Sequence, residues 1–123
     1  MESSGGGRSV VTPSAAAVVL VPFPFSDLTQ SKLRPAVVLA RASTDDFVLC
    51  QLTSNAYADP HAVEITNADF TQGGLKCTSY ARPGKLFTAN RSLIVAQVGT
   101  LREQPFRKII DAVVGLLRGA ATP

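Results

Sequence analysis

Histidine is nearly absent: the 123 residues contain His61 and no other. Mechanisms that need a histidine pair are thereby excluded. Cysteine is almost as scarce, with Cys50 and Cys77 far apart and outside any Cys-x-x-Cys spacing, so a structural zinc site has no ligand set to draw on. Each cysteine reads as a small buried or half-buried apolar residue of a reducing compartment, and a disulfide between them stays open at this level. Long hydrophobic runs are missing too. No stretch approaches the roughly 20 apolar residues of a membrane span. The run from Ala15 to Val21 is short, follows a Gly/Ser-rich segment with only Arg8, and leads straight into Pro-Phe-Pro-Phe. It reads as a first strand rather than a signal-peptide core, which makes the protein cytoplasmic. Charge of one sign is in short supply as well. A net +3 with pI near 9.2 is weaker than a dedicated duplex-DNA binder carries and fits a small nucleic-acid site, though many proteins that never meet nucleic acid share it.

What is present is apolar: 46% hydrophobic against 17% charged residues, the balance of a compact globular chain rather than a disordered one. The length suits one core. Residues 1–14, with Glu-Ser-Ser-Gly-Gly-Gly, form a low-complexity leader; 15–119 form a single domain; 120–123 are a tail. Ala17–Phe23 and Pro35–Ala40 are continuous apolar runs, which predicts strands covered on both faces. Phe47–Leu52 and Ala62–Ile65 are shorter β-rich segments. Ser79–Arg82 and Lys85–Thr88 flank the turn or bulge signal Pro83-Gly84, and Leu93–Gly99 predicts a last strand. Asn67 to Phe70 reads as a short helical turn ending at Gly73-Gly74. Phe106, Ile109, Ile110, Val113, Val114 and Leu117 recur at helical spacing, with Thr100 and Glu103 as a capping box and Gly119 as the stop; Pro105 moves the first turn toward Gln104. Short strands and one amphipathic terminal helix imply a small, strongly bent antiparallel sheet with helical cover.

The most informative stretch runs from Val21 to Leu39. Two apolar segments flank a polar loop ending in Ser31-Lys32-Leu33-Arg34-Pro35. Pro35 biases Arg34 toward extended backbone, so a permanently charged fork stands at a loop-to-strand boundary beside Lys32. That is a ready phosphate site. An ordinary surface loop is the competing reading, and the local physics modestly favours it.

Val-Pro-Phe-Pro-Phe-Ser-Asp-Leu (21–28) and Lys-Leu-Arg-Pro-Ala-Val-Val-Leu (32–39) resemble the opening of the MazF/PemK family, the toxin endoribonucleases of toxin–antitoxin pairs. The likeness continues through Leu52-Thr53-Ser54, the segment 69–76, Lys85-Leu86-Phe87-Thr88, and Leu93-Ile94 to Gly99-Thr100-Leu101, and so covers roughly 16–117. The first motif is specific, and the later ones are weak singly but correctly ordered. The resemblance implies a mainly β fold with short helices, an SH3-like barrel similar to the gyrase poison CcdB, with a C-terminal amphipathic helix and a two-fold homodimer formed through the sheet. It also implies a metal-independent, sequence-selective endoribonuclease that cleaves single-stranded mRNA by 2′-hydroxyl attack, needs no cofactor, and is neutralised by a cognate antitoxin. A CcdB-type binding toxin, or a degenerate member that only binds RNA or antitoxin, stays open beside it.

Cleavage by a neighbouring 2′-hydroxyl needs a proton acceptor, stabilisation of charge on phosphorus, and a proton for the leaving 5′-oxygen. No carboxylate-plus-histidine cluster is visible in the sequence, so a metal-free route is the more consistent one. Arg34 suits the charge-stabilising role, while its high pKa makes it a poor proton shuttle. Thr53 matches the family's second catalytic position and would orient the phosphate. Ser31 and Lys32 are expected to contact the RNA backbone. Ser54 and Asn55 extend a polar rim, and Arg82 or Lys85 adds positive charge. Phe25, which opens the loop, is the candidate for base stacking, with Phe23 assigned to the core. Two departures stand out. The family's usual Gly-Asp at the start of the first strand is Ala16-Ala17 here, and 79–85 carries no carboxylate, which leaves the proton acceptor unidentified. His61 is expected to be structural.

Overall fold

The β-branched runs become strands, and their pairing organises everything else. The computed structural model describes residues 13–24, 31–55 and 59–119. Within them lie β1 (Ala17–Pro24), β2 (Ser31–Arg41), β3 (Asp46–Thr53), β4 (Val63–Ile65), β5 (Phe70–Gly73), β6 (Ser79–Asn90), β7 (Ala96–Leu101) and helix α1 (Glu103–Arg118). Short 3-10 turns occupy Asn67–Asp69 and Arg91–Leu93. The strands form one antiparallel sheet in the order β4-β6-β3-β2-β1-β7-β5, curled into a half-barrel, which bears out the mainly β, SH3-like barrel fold with a C-terminal helix implied by the MazF/PemK resemblance.

Side chains that alternate across a strand give this sheet two apolar faces. One carries Val18, Val37, Cys50, Leu52, Ile65, Ala81 and Leu101, and is covered by Ile109 and Val113 of α1. The other carries Val19, Val21, Ala36, Val38, Phe47, Leu49 and Ala89, with Phe23 and Phe87 packed at its margin. Both central runs are thus buried on each side, as their unbroken hydrophobicity requires.

The strongest curl is measurable. Phe23 on β1 and Phe87 on β6 bring their ring centroids to 4.7 Å at 82°. Three diagonal steps across β2 and β3 separate them in the register, each about 7–8 Å in an unbent sheet. Only a tightly coiled sheet closes that distance.

Several expectations need correction. β2 starts at Ser31, so Arg34 lies inside the strand rather than at its boundary; the β2–β3 ladder opens at Ala36, where a proline without an N–H costs little. The segments around Pro83-Gly84 are one strand, β6, whose pairing with β3 shifts between Cys50 and Leu52. The proline sits in that bulge. β5 is a strand where only the end of a turn was expected; three of its four residues are exposed, which left no apolar pattern to read. The last strand begins at Ala96, after a 3-10 turn at Arg91–Leu93.

Thr100 does not cap α1. It belongs to β7, and Arg102 is the N-cap without a side-chain bond, held by its own N–H to Asp69 O at 2.8 Å. The carboxylate that reaches back over a helical start is Asp69, which accepts from the Thr66 N–H at 2.8 Å. α1 begins at Glu103 and buries Pro105, Ile109 and Val113. Val114 and Leu117, counted in the apolar stripe, are exposed. Gly119 ends the helix at φ +69, donating to Gly115 and Leu116 carbonyls, as expected of a left-handed stop. Cys50 is buried and Cys77 exposed, and both are free thiols. The leader through residue 12, the tail at 120–123 and Phe25 lie outside the described residues, as does the Ser31 side chain. No described helix is long and apolar enough to cross a membrane.

Candidate functional site

Arg34 faces away from α1. Its strand neighbours decide this: Ala36 and Val38 join the second apolar face, and Arg34 shares their parity. β1 sets Val21 opposite Arg34 and Phe23 opposite Lys32. Across the other side, Ala36 pairs with Gln51. The ladder ends at that pair; Arg34 and Thr53 each lie two residues beyond it on their adjacent strands, with the parity of Ala36 and Gln51. Arg34 and Thr53 are both half-buried and Lys32 is exposed.

Thr53 is locally fixed. Its Oγ1 accepts from the Asn55 N–H and donates to the Asn55 carbonyl, both at 3.2 Å. The hydroxyl thus folds the end of β3 over itself, in the manner of a Ser/Thr turn. Ser54 and Asn55 continue from it as exposed residues.

Beside this pair lies a cleft of about 450 Å³ lined by Pro22, Phe23, Gln51, Lys85, Leu86 and Phe87. The diagonal from Phe23 to Phe87 crosses β2 at Arg34 and β3 at Gln51, so the cleft and the Arg34–Thr53 pair occupy one continuous face. Phe23 is therefore only part of the core: half of it lines an open cleft. Gln51 and Phe87 were not singled out from the sequence, because only the strand pairing reveals that they meet Phe23.

Arg82 is engaged elsewhere. Its Nε donates to Asp59 Oδ2 at 2.9 Å, in a second cleft of about 470 Å³ shared with Pro60, His61, Gly84, Lys85 and Leu116. That bond is the main cause holding the Asp59 carboxyl below its usual pKa, aided by the His61 N–H at 3.0 Å. Lys85 touches both clefts. His61 itself is exposed and contributes its backbone to the Asp59 turn. Beneath the bulge the Cys50 thiol donates to the Arg82 carbonyl at 3.2 Å; burial pushes its pKa up to about 12, so it stays a neutral packing group. No group of three or more His, Cys, Asp or Glu that could hold a metal ion occurs among the described residues.

The arrangement offers two cations, a fixed hydroxyl and a cleft with two aromatic rings, an amide and an ammonium. No curated protein matches the sequence. Solved structures do match in fold. An endoribonuclease in complex with its cognate antitoxin, from a mycobacterial species, superposes with TM-score 0.69 at 17% identity, covering 91% of this chain and 100% of that one. MazE–MazF of Deinococcus radiodurans gives 0.66 at 22%, covering 93% and 100%. The Mycobacterium tuberculosis toxin MazF-mt6 gives 0.61 at 15%, covering 81% and 96%. The family model for the PemK-like, MazF-like toxin of type II toxin–antitoxin systems matches residues 14–117. The chain belongs to that family and is a toxin of the MazF-like endoribonuclease group.

Proposed function

We propose that the protein is a metal-independent endoribonuclease that cuts single-stranded mRNA selectively by sequence. The observation that supports this reading is that β2 and β3 are neighbours in the sheet, so that Arg34 and the locally fixed Thr53 lie on adjacent strands on the face away from the helix. In this reading Arg34 grips the two non-bridging phosphate oxygens as charge builds on phosphorus, and the Thr53 hydroxyl exchanges its bond to the Asn55 carbonyl for one to a phosphate oxygen. The 2′-hydroxyl loses its proton as its oxygen attacks the adjacent phosphorus, the P–O5′ bond breaks, and the departing 5′-oxygen takes up a proton, so the products end in a 2′,3′-cyclic phosphate and a 5′-hydroxyl. The cations and the hydroxyl at the site match a phosphate better than a metal ion.

Lys32 and Lys85 add charge along the path, Ser31, Ser54 and Asn55 supply polar contacts, and Arg82, neutralised by Asp59, adds less. Phe23 and Phe87 offer rings for unstacked bases, alongside the Phe25 proposed from the sequence. The protein is proposed to act in the cytoplasm as one domain over 15–119. It is further proposed to pair as a homodimer, and the exposed Leu93 and Val95 supply apolar surface for that. Toxin–antitoxin complexes among the similar structures support a cognate antitoxin as partner, and it is proposed to cover the same cationic face.

The test is product chemistry. Single-stranded RNA incubated with the protein in EDTA should yield cyclic-phosphate and 5′-hydroxyl ends, read by mass spectrometry. Products with 5′-phosphates, or cutting abolished by the chelator, would contradict the proposal.

A further inference from the structure

The row that holds Arg34 and Thr53 runs on across two more strands. Thr53 pairs with Tyr80 on β6, and Tyr80 pairs with Glu64 on β4. Their direction follows from what flanks them. Leu52, Ala81 and Ile65 belong to the helix-covered core, and Val63 packs against it, so Thr53, Tyr80 and Glu64 project from the opposite face. Tyr80 is half-buried and Glu64 exposed. Among the described residues, neither side chain makes a hydrogen bond or ion pair.

Distance decides which role this carboxylate can fill. Counted across the sheet, Glu64 stands two strands from Thr53 and three from Arg34, at about 4.8 Å of backbone spacing per strand. A general base must come within about 3 Å of the proton it takes. An offset of two to three strands from Thr53 and Arg34 suits a neighbouring nucleotide better than the scissile phosphate. Its chemistry narrows the choice further. A carboxylate only accepts hydrogen bonds. Guanine presents two adjacent donors, N1–H and the N2 amino group, that match its two oxygens. The adenine and cytosine amino groups each adjoin a ring acceptor that the carboxylate would repel, and uracil's N3–H lies between two carbonyls. The Tyr80 ring beside it is a stacking surface for the same base.

We propose that Glu64 and Tyr80 form a base-reading subsite for a guanine flanking the cleaved bond. This rests on the nuclease reading above. An exposed charge on an edge strand such as β4 also discourages sheet-to-sheet pairing. That second duty is blind to base identity, which makes the two roles separable.

The full chain would first be run on a randomised single-stranded RNA, with sequencing of the cut sites. Guanine should be enriched at one position beside the break. Binding is then measured with an RNA of that preferred sequence blocked by a 2′-deoxy sugar at the cut, with guanine or inosine at the read position. Inosine, lacking the N2 amino group, should bind the wild type about tenfold more weakly. Glu64→Gln should erase the difference while its melting temperature stays near wild type, and Tyr80→Phe should keep it. A flat base profile, or an inosine penalty that survives in both Glu64→Gln and Glu64→Ala, would overturn the subsite while leaving the nuclease intact. Failure of the wild type to cut or bind any RNA would overturn both.

Discussion

Ala16 holds a backbone angle that suits a residue without a side chain. Its φ is +78, in the left-handed region, while its N–H bonds Val38 O and its carbonyl accepts from Leu101 N–H, each at 2.9 Å. Those two bonds lock the position at the mouth of β1. The Gly-Asp with which the family usually opens this strand therefore has a physical reason at its first residue, and this chain carries the strain instead. Ala16→Gly should raise stability by about 1 kcal/mol in chemical denaturation, since the Cβ penalty there exceeds glycine's extra unfolded-state entropy. Cys50 gives a second test at this scale. With its thiol pushed up to about 12 in the fold and near 9.0 when exposed, the unfolded chain loses the proton first as pH rises. Its contribution is therefore complete below about pH 9 and is lost between there and about pH 12. Iodoacetamide at pH 8 should label the exposed Cys77 alone in the native protein, and both cysteines in denaturant; mass spectrometry counts the adducts.

Among the elements, the short pieces at the sheet edges are the most exacting. Gly73, ending β5, sits at φ +73, and a Cβ there would meet Val98 O at 2.1 Å. Opposite it, a Cβ on Gly99 would meet the Phe70 ring at 2.6 Å. Gly73→Ala should cost about 2 kcal/mol or more in urea unfolding, because both backbone strain and overlap oppose it. At the other edge, the Arg82–Asp59 pair clips residues 59–61 to the β6 bulge. Asp59→Asn should lower stability by about 1 kcal/mol at pH 7, a modest figure because the pair is partly exposed. The Asp59 pKa is lowered in the fold, so this advantage exists above the ordinary carboxylate value and disappears as pH falls through the folded one. Wild type and variant should converge once the pH falls far enough to protonate Asp59 in the fold.

These same elements mark what could be read in advance. β1, β2 and β3 announce themselves through Val-Val-Leu-Val, Ala-Val-Val-Leu and Phe-Val-Leu-Cys, since burial on both faces demands unbroken apolar runs. The terminal helix was equally plain from its period. β5 was hidden because Thr71 and Gln72 face solvent and only Phe70 is buried. β6 seemed two strands because proline marks a break in local sequence, whereas here it rests in a bulge that pairing on either side keeps in register. For the proposed site, Arg34 stands out through its place between Lys32 and Pro35 as well as through the motif resemblance, and Thr53 through the resemblance alone. Phe23, Gln51 and Phe87, distant in sequence, become neighbours through a coil of the sheet that no local pattern encodes.

For the whole molecule, the division of labour is between two faces of one curled sheet. One is sealed by α1 through Ile109 and Val113. The other keeps an apolar floor, carries Arg34 and Thr53, and opens a cleft lined by Gln51, Lys85 and two phenylalanine rings. A cationic face of that kind attracts a phosphate chain, and the net charge of +3 is small enough that the attraction is local rather than a field of the whole protein. The most direct check is a single-turnover cleavage assay in EDTA on one single-stranded RNA, comparing wild type with Arg34→Ala at matched thermal stability. The expected result is a rate lower by about 10²–10³ with the same products. Equal rates, with the fold of the variant intact, would contradict the account.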